Sequence, residues 1–261
     1  FDAVGHPLQP VRAAGWLAAL FRSCPPCTSM IFTPFFAMAS RSLIPALGLL
    51  VGLVAPAAVQ AEPASTAGVV LNPDPLNRVV GLPPAAGSAT AKEDLAILLW
   101  LQGARTPEME ANAWLLLERN LGSFSRALGV DMAKTTPQIN AALKTFLKPV
   151  DAVMGSLKDR YRRPRPFVAE SQIKPCLPRE QGYSFPSGHS TWYRAASELL
   201  ADLVPERRTR LVAVGSHGGN SRVLCRVHYP SDVSAGQRLG VADAAQLIAS
   251  PPWKAFKADP A

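Results

Sequence analysis

Several features that would place a chain in a special class are scarce here. Only 18% of the residues are charged against 48% hydrophobic, which excludes an intrinsically disordered chain. Four tyrosines and five tryptophans are too few for the stacking aromatics of a single-stranded nucleic-acid groove. The 25 prolines and 18 glycines are scattered, without the period of collagen. The few histidines and cysteines form no metal-ligand spacing, so no metal and no cofactor is expected. Beyond residue 61 no apolar run approaches the ~20 residues that span a bilayer. The densest, Leu95 to Leu101, has seven. No strand alternation and no internal repeat is present.

What remains is a chain of 261 residues, long enough to build a core without staples. It carries 27 Lys and Arg against 19 Asp and Glu, a net charge of +8, so its partners are anionic: nucleic acid, an anionic membrane or a phosphorylated small molecule.

The first sixty residues differ from the rest. From Met38 the chain runs through Arg41, an apolar stretch from Leu43 to Val54, and small residues ending at Ala61. A basic start, a short apolar core and a small-residue cleavage site form a secretory signal rather than a membrane anchor. Residues 38–61 are therefore expected to be a signal peptide, and residues 1–37 an upstream extension that is not part of the fold. The Cys24-Pro-Pro-Cys27 pair falls in that extension. Removing residues 1–61 takes away Arg12, Arg22, Arg41 and Asp2, and leaves 200 residues with a charge of +6. The expected location is periplasmic or secreted. Of the two cysteines left, Cys176 and Cys225 are disulfide candidates in an oxidising compartment, or else two buried thiols.

Residues 62–89, with Asn72-Pro-Asp-Pro75 and Pro83-Pro84, read as an extended Pro/Ala-rich arm. Helix starts follow: a capping box at Thr90-Ala-Lys-Glu93, then Thr106-Pro107 and Thr136-Pro137. After Ser187, Trp192, Ala195, Ala196, Leu199, Leu200 and Leu203 share one helix face. Pro205 begins a further helix, and the last runs from about Ser231 to Pro251-Pro252. Residues 90–261 are expected to form one all-α domain, a single-domain helical bundle.

Three segments carry chemistry. Lys158-Asp-Arg-Tyr-Arg-Arg-Pro-Arg165-Pro166 is a basic run, which elsewhere is often only a solvated face. Pro186-Ser187-Gly188-His189 opens a helix, where free N–H groups and the helix dipole favour an anion. Ser221-Arg222 precedes His228 and Asp232, which alone could be an i, i+4 surface pair. Together they resemble the signature of the type 2 phosphatidic-acid-phosphatase superfamily, shared with vanadium haloperoxidases. All eleven fixed positions match: Lys-x6-Arg-Pro, Pro-Ser-Gly-His and Ser-Arg-x5-His-x3-Asp. Three motifs in order are far more specific than one.

Within that superfamily the chain is most similar to bacterial class A nonspecific acid phosphatases, over roughly residues 80–261. The Leu82-Pro-Pro-Ala-Ala-Gly-Ser88 arm, Tyr161-Arg-Arg-Pro-Arg-Pro-Phe167, Cys176, Ser221-Arg-Val-Leu-Cys225 and Ser231-Asp-Val-Ser-Ala-Gly236 carry the likeness. Two departures, Tyr183-Ser184-Phe185 ahead of Pro186 and a short interval from Cys176 to Pro186, fall at the expected pocket mouth and leave substrate preference open.

The resemblance implies a helical bundle of the phosphatase/haloperoxidase type and an acid phosphatase for small phosphomonoesters. Lys158, Arg165, Ser187, Gly188 and Arg222 would bind phosphate. His228 would be the nucleophile, Asp232 would orient it, and His189 would act as general acid and base. A protonated His189 beside a neutral His228 implies an acidic optimum. Vanadate and inorganic phosphate should inhibit, and nucleic acid is not expected as a structural partner. Assembly into homo-oligomers is left open, and His217 is read as a surface loop residue without a role. Three rival readings are a lipid phosphatase at the membrane surface, a vanadate-dependent haloperoxidase and a basic nucleic-acid binder.

Overall fold

The computed structural model describes residues 69–259. The expected signal peptide and upstream extension, with Cys24 and Cys27, lie outside the described residues. The described chain is all-α, as the helix-start signals imply, with no strand among the described residues.

Its elements run in order α1 (Pro73–Val80), α2 (Ala89–Ala104), α3 (Pro107–Trp114), a 3₁₀ turn (Leu121–Phe124), α4 (Ser125–Leu128), α5 (Met132–Thr135), α6 (Pro137–Phe146), α7 (Lys148–Tyr161), α8 (Pro166–Ala169), α9 (Gly188–Leu203), a 3₁₀ turn (Pro205–Arg207), α10 (Arg208–Leu224), α11 (Pro230–Ala249) and α12 (Pro251–Ala258).

The starts follow local chemistry. Thr106 accepts from the Met109 N–H, and Pro107 occupies the first turn of α3. Ser187 caps α9 by accepting from Ser190 N. Helix α2 starts at Ala89 instead of at the Thr90 capping box, because Ser88 takes the cap by accepting from Ala91 N. The stretch expected as an extended arm holds α1, capped by Asn72 through the N–H of Asp74, with Leu76 and Val80 fully buried. Two buried apolar residues one turn apart outweigh the local proline content. The helix expected from about Ser231 does stop ahead of Pro251-Pro252, as α11, but it is not the last. Pro251-Pro252 opens α12, which buries Trp253 and Phe256 against Phe146.

Helix α9 is the centre of the domain. The apolar spacing implied one buried face, yet even Ser190, Thr191, Ser197 and Glu198 are buried. Helices α10 and α11 enclose it on two sides through glycines. A Cβ on Gly218 would lie 2.2 Å from the Tyr193 ring, and one on Gly240 would lie 2.4 Å from the Thr191 carbonyl oxygen. This close approach corrects the reading of His217. The Gly-Gly pair beside it is not a loop but the face of α10 pressed on α9, and His217 sits exposed on the opposite side of that helix. The core continues through Phe124, Phe146, Leu199, Leu211, Leu247 and Trp253.

Candidate active site

The three motifs meet at the N-terminal ends of α9 and α11. Lys158 lies in the last turn of α7, and Arg165 precedes α8. Gly188 and His189 form the first turn of α9, and Arg222 lies in the last turn of α10. A tight turn brings the chain back, with Val227 N donating to Arg222 O at 3.0 Å, so Arg222 and His228 lie close together. Asp232 lies in the first turn of α11, and its carboxylate accepts from Tyr229 N at 2.9 Å.

His228 is 1% exposed. Its Nε2 faces Arg165 Nη1 at 3.1 Å. A guanidinium can only donate, so Nε2 carries the lone pair and Nδ1 the proton. That Nδ1 lies 3.3 Å from Ser184 Oγ and 3.5 Å from Asp232 Oδ2, and Ser184 Oγ donates to the same Asp232 oxygen at 2.5 Å. Asp232 therefore reaches His228 at long range, with Ser184 bridging beside it. Burial drives the His228 pKa down to about 4, and the nearby cations Arg165 and Lys158 add to this against the pull of Asp232. Burial alone would raise the Asp232 pKa. Its contacts with His228, Arg163 and Ser184 prevail and lower it, so the carboxylate is charged.

Two arginines flank His228. Arg165 is anchored by Val227 O at 3.0 Å and Gly182 O at 3.2 Å. Arg222 is fully buried, donates from Nη2 to Leu116 O at 2.5 Å and from Nε to Ser221 Oγ at 3.2 Å, and keeps Nη1 without a hydrogen-bond partner. A buried cationic donor with no acceptor is costly unless something fills the space it faces. Lys158 donates to Tyr183 O, and burial together with Arg165 lowers its pKa to about 8. Ser187 is buried, and its oxygen caps α9. Gly188 lies close beside Met154 and Lys158, where a Cβ would reach within 3.1 Å of the Met154 methyl.

His189 pairs its Nε2 with Leu117 O at 2.7 Å, so Nε2 donates and Nδ1 is left facing the site. Burial lowers its pKa, with Arg222 adding to the effect, so the free protein holds it neutral. A desolvated imidazole beside a guanidinium sheds its proton.

Four further residues are brought in that the motifs do not contain. Ser184 bridges His228 and Asp232. Arg163 donates to Asp232 Oδ1 at 2.7 Å and to Asp94 Oδ2 at 3.0 Å, and lies 4.0 Å over the Tyr229 ring. Asp94, from α2, also accepts from Ser231 N at 2.9 Å. Glu180 enters from the mouth: its Oε2 accepts from Arg165 Nη2 at 2.7 Å, and its Oε1 lies 3.7 Å from His189 Nδ1 and 3.9 Å from Arg222 Nη1. Sequence signals existed for two of them. Arg163 sits within the basic run, and Ser184 stands at a departure from the usual pattern.

Cys176 and Cys225 are joined in a disulfide, and Cys176 N donates to Cys225 O at 3.2 Å, tying the loop after Cys176 to the turn before His228. Among the described residues no group of three or more His, Cys, Asp and Glu side chains is arranged to hold a metal ion. No described helix is long and apolar enough to cross a membrane.

Known proteins are similar to this chain in sequence. Residues 142–255 match the sequence profile of the PAP2 superfamily. An acid phosphatase of Zymomonas mobilis is 30% identical over 199 residues, 72% of this chain and 74% of its relative. A non-specific acid phosphatase of Providencia stuartii is 29% identical over 182 residues, 66% of this chain and 73% of that protein. A lipid A 1-phosphatase of Rhizobium etli is 46% identical over a shorter stretch of 57 residues, 22% of this chain and 25% of its own. With the catalytic-type motifs assembled around one cationic cradle and this extent of similarity, the chain belongs to the PAP2 superfamily.

Proposed function

We propose that this protein is an exported acid phosphatase that hydrolyses phosphate monoesters through a phosphohistidine. The observation that carries this reading is the unpartnered Nη1 of buried Arg222, which faces the same space as Arg165 Nη2 and His189 Nδ1, beside His228 Nε2, whose lone pair faces Arg165 Nη1.

A phosphomonoester dianion resists nucleophiles, and cations fixed around its oxygens remove that resistance. Arg165 and Arg222 offer fork donors, and Lys158 and the Gly188 N–H complete the cradle. His228 Nε2 attacks phosphorus, forming the P–N bond as the bond to the leaving oxygen breaks. His189 Nδ1, which takes a proton from the singly protonated ester as it binds, returns that proton to the leaving oxygen. Asp232 and Ser184 hold the Nδ1–H of His228 and stabilise the imidazolium that develops. Water then attacks phosphorus, His189 takes its proton, and the P–N bond breaks. Each step balances with the residues present.

Hydrolysis of p-nitrophenyl phosphate that withstands EDTA and is blocked by vanadate tests the reading. His228→Ala should abolish both turnover and acid-labile labelling by radioactive substrate. Normal labelling by that variant would overturn the role given to His228.

A lipid phosphate is the second reading, and one feature favours it. The segment that holds His189 and Arg222 through Leu117 O and Leu116 O also borders an apolar cavity of about 930 Å³. Trp114 and Leu115 line it and remain 49% and 77% exposed. A panel of nucleotides, sugar phosphates and lipid phosphates separates the two readings by kcat/KM.

A further inference from the structure

We infer that Glu180 is a tethered competitor for the phosphoryl position and thereby sets which anions the site accepts. The inference rests on the phosphatase reading above. It deepens that reading by naming the charge class of substrate.

The Glu180 carboxylate stands among the groups assigned to phosphate. It takes Arg165 Nη2 at 2.7 Å and lies within 4 Å of both His189 Nδ1 and Arg222 Nη1. Burial works against its ionisation, but the guanidiniums of Arg165 and Arg222 hold its pKa below the ordinary carboxylate value. It therefore stays anionic wherever the enzyme works.

Its fit is incomplete. At 3.9 Å it does not bond Arg222 Nη1, which keeps no hydrogen-bond partner. A carboxylate brings two oxygens and one charge. A phosphomonoester brings three free oxygens and, near neutral pH, up to two charges, enough to satisfy Arg165 and Arg222 together. Exchange therefore favours a dianion. An ester with one negative charge gains little over a carboxylate held at high effective concentration by its own chain.

The carboxylate also has somewhere to go. Glu180 is 31% exposed, whereas Arg165 and Arg222 are 3% and 0%. Its neighbours Pro178, Arg179, Gln181 and Gly182 are exposed, so the side chain can turn into solvent without opening the core. This loop is the short interval between Cys176 and Pro186, where the chain departs from the usual acid-phosphatase pattern.

Glu180→Gln and Glu180→Ala test the inference, with p-nitrophenyl phosphate as substrate, inorganic phosphate as competitor and p-nitrophenyl sulfate as the monoanionic probe. Both variants should lower KM and the inhibition constant of phosphate by roughly 10-fold or more, with kcat altered far less. The preference for the phosphate ester over the sulfate ester should narrow. In Glu180→Ala, millimolar acetate should raise KM back toward the wild-type value by refilling the vacated position, an effect absent from the wild type. Unchanged or raised KM and phosphate constants in both variants, beside an active wild type, would overturn the competitor role alone. A wild type that neither turns over phosphate esters nor binds inorganic phosphate would overturn the phosphatase reading and this inference with it.

Discussion

Arg165 Nη1 stands 3.1 Å from His228 Nε2, so the cation that would bind the phosphoryl group also touches the nitrogen that would attack it. In the proposed reaction one guanidinium would thus fix the distance between nucleophile and electrophile. It also fixes the imidazole tautomer, because only a lone pair can face it.

Arg165→Lys should therefore cost more than one charge contact. Lysine keeps the charge but cannot span His228, Val227 O and a phosphoryl oxygen from one planar group. The expected loss in kcat/KM is roughly a hundredfold to a thousandfold, the range for removing one preorganised donor. Steady-state kinetics together with the inhibition constant of phosphate would check it, and both should worsen.

Arg163 acts one step further out. It joins Asp232 to Asp94 and so ties the start of α11 to α2. Arg163→Met leaves two buried carboxylates without their cation, a change expected to cost ~3–5 kcal/mol of stability. Phosphoenzyme formation should slow while the affinity for inorganic phosphate holds, because Arg163 makes no contact in the cradle. Denaturant unfolding and rapid-quench labelling measure the two effects separately. Weakened phosphate binding with normal labelling would contradict the positioning role.

The pH profile follows from both histidines being neutral at rest. His228, with its pKa at about 4, is ready to attack at any pH above that, so the acid limb of kcat/KM should fall near 4 rather than near the ordinary histidine value. The proton for the leaving group is absent from resting His189 and arrives with the singly protonated ester, which passes it to His189 Nδ1 on binding and leaves the dianion in the cradle; the second ionisation of typical phosphate esters lies near 6. The falling limb should then track the substrate: across a series of phosphate esters it should move with their own second pKa. A limb that stays put as the ester changes would assign it to a group of the enzyme instead.

How far the site could be read from the chain depended on the kind of residue. Lys158, Arg165, His189, Arg222, His228 and Asp232 were legible because they stand at the fixed intervals of three motifs, and the fold brings them together. Asp94 was not, since its partner Ser231 lies 137 positions away and no local pattern links them. Glu180 is one acid in a loop, and only the fold shows which cations it meets. Composition was an incomplete guide at both ends of the domain. The prolines around residue 73 suggested extended chain, and those at residues 251–252 marked the end of α11 without showing that another helix follows; both sets stand in the first turn of a helix that tertiary burial stabilises. Glycines beside His217 suggested a loop because their use here, close contact between α9 and α10, is visible only once both helices are placed.

Asp243 bears on stability rather than catalysis. It is fully buried in α11, both carboxylate oxygens lack a hydrogen-bond partner, and burial raises its pKa from 3.8 to about 8. An acid whose folded pKa is raised holds its proton in the native state while the unfolded chain has released it. Stability from this group is therefore complete below pH ~4, falls as pH rises through the window up to about 8, and levels off above. His228 works in the opposite sense: its lowered pKa makes the native state bind fewer protons between about 4 and its ordinary value, so its contribution rises with pH there. The comparison with Asp243→Asn isolates the first effect, since the amide cannot ionise and leaves His228 untouched. Denaturation midpoints measured from pH 4 to 9 should show the variant gaining on the wild type as pH increases, with the largest gain above 8. Parallel curves for the two proteins would mean that Asp243 finds a partner or solvent in solution.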